Sequence, residues 1–164
     1  MNIFEEDLLP EEVDTLKRLT DFPIDFAAMS ICSNIYRAAQ RLRVTMERDL
    51  LANYSLSWTG FDLLHNLWIW EWMESRGLAK SMGVTVATIS SISNTLERKN
   101  LVQRRVNPRD RRLVELGITD QGRQVMEDLF PKFNQGEVDM IKGLTEEEQK
   151  KLLKLLRRVI KNIE

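Results

Sequence analysis

The sequence predicts a mainly α-helical fold, with a tight helix–turn–helix, a short hairpin behind it and long helices towards both ends of the chain. Three observations predict it. Leu78-Ala79-Lys80-Ser81-Met82-Gly83-Val84 runs into Thr85-Val86-Ala87-Thr88-Ile89-Ser90-Ser91-Ile92, which describes two short helices crossing at a turn. Residues 102–118 alternate in character on both sides of a polar tip, as two paired strands do. Leu152, Leu153, Leu156, Val159, Ile160 and Ile163 recur at helical spacing near the C-terminus and stripe one face of a last helix.

Each element has its own reason. Residues 1–23 form an acidic extension, with a short helix from Pro10 to Leu19 that ends near Pro23. A long helix is expected over Ile24 to Tyr54, and a second over Trp58 to Met73 with Ser57 as its cap. In the helix–turn–helix, Ala79 is small where two helices approach closely. Gly83 sits at the turn, where a positive φ costs glycine nothing. Val84 should enter the core, and the Thr85 hydroxyl should cap the next helix. Ile89, Ile92 and Leu96 make that helix's buried stripe, while Ala87, Thr88, Ser91, Asn94, Thr95 and Arg98 occupy the other face. In the hairpin, Val102, Arg104 and Val106 alternate with Gln103 and Arg105; on the return, Val114, Leu116 and Ile118 alternate with Leu113, Glu115 and Gly117. Pro108 cannot donate to a ladder, so it belongs in the tip, Asn107-Pro108-Arg109-Asp110-Arg111-Arg112. A helix from Thr119 towards Gly143 follows, which Pro131 should kink or break near Phe130. Thr145-x-x-Glu148 is a capping box for the last helix.

Composition narrows the function. The 164 residues suit one domain with ample core. No apolar run approaches the roughly twenty residues of a membrane span, and an acidic N-terminus is not a secretory signal. The single Cys32 excludes an intrachain disulfide framework and suits a reducing cytoplasm. His65 is the sole histidine; no Ser/His/Asp set, metal-spaced cluster or glycine-rich phosphate loop can be assembled, so neither an enzyme nor a cofactor is expected. Net charge is only −1, but it is segregated. Glu5, Glu6, Asp7, Glu11, Glu12 and Asp14 all precede the first lysine, whereas Arg98, Lys99, Arg104, Arg105, Arg109, Arg111 and Arg112 face one acid, Asp110, a local charge of +6. Charges beyond about 8 Å are largely screened at physiological salt, so this local field outweighs the total. A single-sign cluster behind a helix–turn–helix is the footprint of a polyanion, and double-stranded DNA is the expected partner.

The stretch from about Leu56 to Gly122 resembles the MarR family of bacterial transcriptional regulators, which use a winged helix-turn-helix. The resemblance is carried by Leu78-Ala79-x-x-x-Gly83, Thr88-Ile89-Ser90, Leu96-Glu97-Arg98-Lys99-Asn100-Leu101-Val102, the tip Asn107–Arg112 and Ile118-Thr119-Asp120-Gln121-Gly122-Arg123. It implies a homodimeric repressor on a pseudo-palindromic operator. Residues 24–56 and 119–164 would form the dimerisation region and 57–118 the DNA-binding lobe. Thr88, Ser90, Ser91 and Asn94 would read bases, with Thr85 at the start of their helix. Lys99 and the wing arginines Arg104, Arg105, Arg109, Arg111 and Arg112 would hold phosphates, with Arg109 or Arg111 entering the minor groove, and Arg98 would lie on the helix face set in the major groove. Nothing from Thr85 to Glu97 is basic, so shape readout should carry more of the specificity.

Two switches are compatible with this resemblance. Small aromatic or phenolic effectors bind many members, and Ile31, Ile35, Trp58, Phe61, Asp62 and His65 are the candidate contacts; Trp68 and Trp72 read better as core. Alternatively, Cys32-x-x-x-Tyr36 is similar to the peroxide-sensing branch, although Met46 stands where that branch has a second tyrosine. A winged helix used only for protein contact is the remaining rival.

Overall fold

The computed structural model describes residues 8–108, 110 and 113–163. Two units, residues 1–44 and 45–164, are described in turn.

In the first unit, helix α1 (Pro10–Leu19) carries proline in its first turn and acids near its N-terminus, both favourable there. Asp25 then caps α2 (Phe26–Asp49), accepting the Ala28 N–H at 2.9 Å. The two helices are joined by a buried carboxylate. Glu12, 7 % exposed, accepts from Asn34 Nδ2 at 2.7 Å and from the Leu9 N–H at 3.0 Å, with Arg37 at 3.9 Å. Glu11 pairs with Arg41 at 3.0 Å. A buried carboxylate is tolerable only when so satisfied.

In the second unit, the helix expected to reach Tyr54 stops at Asp49, and residues Leu51–Tyr54 form a 3-10 turn closed by Ser55 in the left-handed conformation. Ser57 caps α3 (Trp58–Trp70), taking the Gly60 N–H at 3.1 Å. This helix also ends early. Glu71 adopts φ 63°, ψ −60°, and Trp72–Glu74 become strand β1 instead of a last helical turn. The expectation of helix through Met73 is therefore corrected, and Trp72 lies in the sheet. Helices α4 (Ser75–Met82) and α5 (Val86–Arg98) follow, then strands β2 (Val102–Val106) and β3 (Val114–Ile118). The sheet is antiparallel in the order β1-β3-β2, with Trp72 opposite Gly117, Val102 opposite Ile118 and Val106 opposite Val114. Leu63, Leu64, Leu67, Leu78, Ile89, Leu96, Val102, Leu116 and Met126 fill the core beneath it. Ile92 and Val84 are only half-buried; Ser93 takes the buried place beside Ile89 and Leu96.

Helix α6 (Asp120–Met140) continues past Pro131 as one element, so of the kink or break expected there the break does not occur. Proline removes one helical hydrogen bond, but Leu129 and Phe133 on either side are buried and hold the backbone in register. Helix α7 (Glu146–Lys161) opens on the expected capping box, with Thr145 Oγ1 accepting from Glu148 N at 3.3 Å and Glu148 accepting from Thr145 N at 2.7 Å. None of its described side chains is buried, and Leu152, Leu153, Leu155 and Ile160 are exposed.

Three segments meet where α5 ends. Asn100 is left-handed (φ 57°), and Thr119 donates its N–H to the Leu101 carbonyl at 3.1 Å and its hydroxyl to the Asn100 carbonyl at 2.6 Å. Thr119 Oγ1 also caps α6 by accepting from Gly122 N at 3.0 Å. A Cβ on Gly122 would fall 2.2 Å from the Leu101 oxygen, a backbone atom that cannot step aside. Gly122→Ala should therefore lower stability by about 1–3 kcal/mol, the usual cost of overpacking. Urea denaturation checks this; a change below about 0.5 kcal/mol, the scale of an ordinary surface substitution, would contradict the packing described.

Candidate nucleic-acid interface

Helix α5 is built to show a row of small polar groups. Its buried row is Ile89, Ser93 and Leu96, so the helical period places Ala87, Ser91, Asn94 and Arg98 on the opposite face, where all four are exposed. Thr85 begins the helix as predicted, its hydroxyl accepting from Thr88 N at 3.1 Å and lying 2.9 Å from the Thr88 hydroxyl. Gly83 turns the chain ahead of it at φ 65°. Ser90 and Ser91 are exposed. Arg98 donates to Thr95 Oγ1 at 3.3 Å.

The strand arginines are more committed than a charge count foresees. Arg104 donates through Nη2 to the buried Ser93 hydroxyl at 2.8 Å and to Asn94 Oδ1, and its Nε lies 3.3 Å from Glu97. Arg105 donates to Glu115 at 2.8 Å and stacks over the Trp72 indole, 3.8 Å from the ring centre. Both acids sit on neighbouring elements: Glu97 lies just before Arg98, and Glu115 follows the tip. The Lys99 ammonium donates to the Ser55 carbonyl. Of the expected phosphate contacts, Arg109, Arg111 and Arg112 lie outside the described residues. At the root of the tip, Asn107 Nδ2 donates to Glu115 at 2.8 Å and its Oδ1 accepts from Asp110 N at 3.1 Å, so an asparagine braces the turn.

Reading the sequence missed Ser93, Glu97, Glu115 and Trp72 as parts of this surface. Ser93 had a signal: it is a polar residue at i+4 from Ile89 and i−3 from Leu96, on the apolar stripe. Paired across strands and elements, the others had none.

The effector candidates fall in different settings. On α3, Phe61 is core, stacked on Phe133 with ring centres 4.3 Å apart. Trp58 tilts against both, and His65 stacks between Phe61 and Phe130, at 5.8 Å and 5.3 Å. Trp68 packs on Phe130 at 5.2 Å. Asp62 is half-buried, and its loss of solvent raises its pKa above the usual carboxylate value, partly opposed by His65. Its Oδ1 accepts from Asn66 at 3.1 Å, and Asn66 accepts from Ser81 on α4 at 2.7 Å. On α2, Ile31 and Ile35 are 52 % and 37 % exposed, and Cys32 is exposed as well. Among the described residues, no helix is long and apolar enough to cross a membrane.

Comparison with known proteins places this geometry. The MarR family model matches residues 56–114, from just before α3 to the first residue of β3. The HTH-type transcriptional regulator YwaE of Bacillus subtilis (strain 168) is 45 % identical over 161 residues, 96 % of this chain and 94 % of that protein. The chain belongs to the MarR family. MarR membership makes it a DNA-binding transcriptional regulator and not an enzyme. Solved structures share the winged-helix fold at lower identity. BpsR of Bordetella bronchiseptica, whose DNA binding is regulated by 6-hydroxynicotinic acid, is 23 % identical, with a TM-score of 0.70 over 79 % of this chain and 98 % of that one. MepR of S. aureus, solved as a DNA complex, is 22 % identical, with a TM-score of 0.71 over 79 % of this chain and 96 % of its own.

Asp62 gives a checkable consequence. A carboxyl whose folded pKa exceeds its unfolded value binds its proton more tightly when folded, so it costs stability when ionised and the cost fades as pH falls through the folded pKa. Asp62→Asn should raise the melting temperature at neutral pH, and the gain should shrink as the pH falls through that range. Thermal melts across pH would show a constant difference if desolvation of Asp62 were immaterial.

Proposed function

We propose that this MarR-family chain is a homodimeric repressor that sets α5 in the major groove of a pseudo-palindromic operator and lets go when a small aromatic ligand binds. The observation that carries the DNA reading is the α5 face: Ala87, Ser91, Asn94 and Arg98 form an exposed, small and polar row, directly opposite the row that anchors the helix. Thr85, Thr88 and Ser90 flank it. In this reading Ser91 and Asn94 meet base edges, Arg98 and Lys99 meet phosphates, and the arginine-rich tip reaches the adjacent strand. Arg104 and Arg105 set the hairpin against α5 and β1 and add their charge to the same field.

The dimer reading is supported by α7. Leu152, Leu153, Leu155 and Ile160 are uncovered, and a second copy of the chain would remove them from water. A two-fold dimer then presents two α5 helices about 34–36 Å apart, one turn of DNA. The ligand reading is supported by the aromatic residues and Asp62 on α3, and by the relative BpsR, whose DNA binding is regulated by 6-hydroxynicotinic acid. Repression is the simplest consequence of an operator-bound dimer that a ligand removes, in a cytoplasm where the DNA lies.

Selection of bound duplex from a random pool tests the central claim, and a symmetric motif with half-sites one turn apart is expected. Arg98→Ala should weaken every sequence alike and flatten the slope of log K against log salt by about 0.9, one phosphate's share. An unchanged slope removes Arg98 from the backbone contacts. Sedimentation that finds only monomer at micromolar concentration removes the paired-operator model.

A further inference from the structure

We infer that Arg104 sets the base specificity of Asn94, by holding the carboxamide with its oxygen towards β2 so that its amino group is the end offered to the groove. The inference rests on the reading that α5 lies in the major groove.

The chemistry follows from what a guanidinium is able to do. It donates and never accepts, so the end of Asn94 that meets it must be the carbonyl oxygen. Arg104 is not a loose partner. The same Nη2 that reaches Asn94 Oδ1 also donates to Ser93 Oγ at 2.8 Å, and Nε lies 3.3 Å from Glu97. Ser93 is 1 % exposed, and its hydroxyl is itself fixed, donating to the Ser90 carbonyl at 3.0 Å. A buried hydroxyl, a carboxylate and the β2 backbone therefore lock the guanidinium in place. The two ends of a carboxamide diverge, so an oxygen turned towards β2 turns Nδ2 away from it. Asn94 is exposed, and Nδ2 has no partner among the described residues.

A free asparagine reads adenine by using both ends at once, accepting from N6 and donating to N7. With that end drawn towards β2 and one of its lone pairs taken by Arg104, the oxygen is poorly placed to complete the two-point contact, and the amino group is the end Asn94 presents to the groove. Guanine O6 and N7, thymine O4 and adenine N7 all accept, so the held side chain separates A·T from G·C poorly. Arg104 is thus a positioning residue that trades discrimination at one base pair of each half-site for a rigid tie between recognition helix and hairpin.

Duplex selection with the full-length protein and four variants tests this. The wild type should select a motif with weak A·T versus G·C preference at the position that Asn94→Ala alters. Arg104→Met should release the carboxamide and raise A·T preference there by about fivefold or more, whatever happens to overall affinity. The double variant Arg104→Met/Asn94→Ala should lose that gain. Asn94→Asp keeps an oxygen for Arg104 but replaces the NH2 by a second acceptor, so it should fold even if Arg104→Met does not, and should shift the preference on the strand it faces towards cytosine or adenine, whose exocyclic amino groups donate. If the wild type selects no duplex, the DNA reading itself is overturned. If it selects a motif, but Arg104→Met and Asn94→Asp leave every base preference unchanged, or the gain survives in the double variant, Arg104 is only a strut and the inference falls.

Discussion

The crowded junction at Leu101, Thr119 and Gly122 is the constraint on which the winged-helix unit depends. One carbonyl, that of Leu101, takes the N–H of Thr119 and leaves no room for a side chain on Gly122. Through that contact the end of α5, the start of β2, the end of β3 and the first turn of α6 share a single fixed point. Asn100 supplies the left-handed step that lets the chain leave α5 there, and its side chain reaches Gln121 at 3.1 Å. The hairpin projects from a rigid root, and α5 keeps its orientation because its C-terminal end is tied to the helix behind it.

Around that root, charge is distributed by pairing. Two of the arginines that look like free cations in the sequence are braces: Arg105 spans Trp72 and Glu115, and Arg104 spans Ser93, Asn94 and Glu97. Exposed ion pairs of this kind contribute little stability individually. Their value is geometric, since they turn flexible side chains into struts between hairpin and helix. A cation held in a strut still contributes to the field that a polyanion meets, but it is no longer free to follow a phosphate.

Most helices were legible because capping residues and apolar spacing agree. Thr85, Ser57, Thr145 and Thr119 each cap the helix that follows, and Pro10 opens the first. Strands β2 and β3 were legible from their alternation. The sequence misled where local and distant forces conflict. Trp68 and Trp72 stand at helical spacing, yet Trp72 is drawn into the sheet because Gly117 opposite it has no side chain, and a Cβ there would meet the indole at 2.6 Å. The turn that makes this possible is Glu71, at positive φ without a glycine to announce it. Glu71 is held instead by Arg123, with contacts of 2.6 Å and 2.8 Å from fifty-two residues away, which no local pattern encodes. The face of α5 was readable as a set of residues, but the partners that orient Asn94 and Arg104 emerge only when β2 is laid beside the helix.

The indole of Trp72, sandwiched between Gly117 and the Arg105 guanidinium, carries a consequence for spectroscopy. A positive charge fixed over one face of an indole shifts its emission, and the shift depends on how far away and at what angle the charge sits. Any tilt of the hairpin against the first strand changes that separation. The protein thus contains a built-in optical gauge of the spacing between its second and first strands, needing no attached dye.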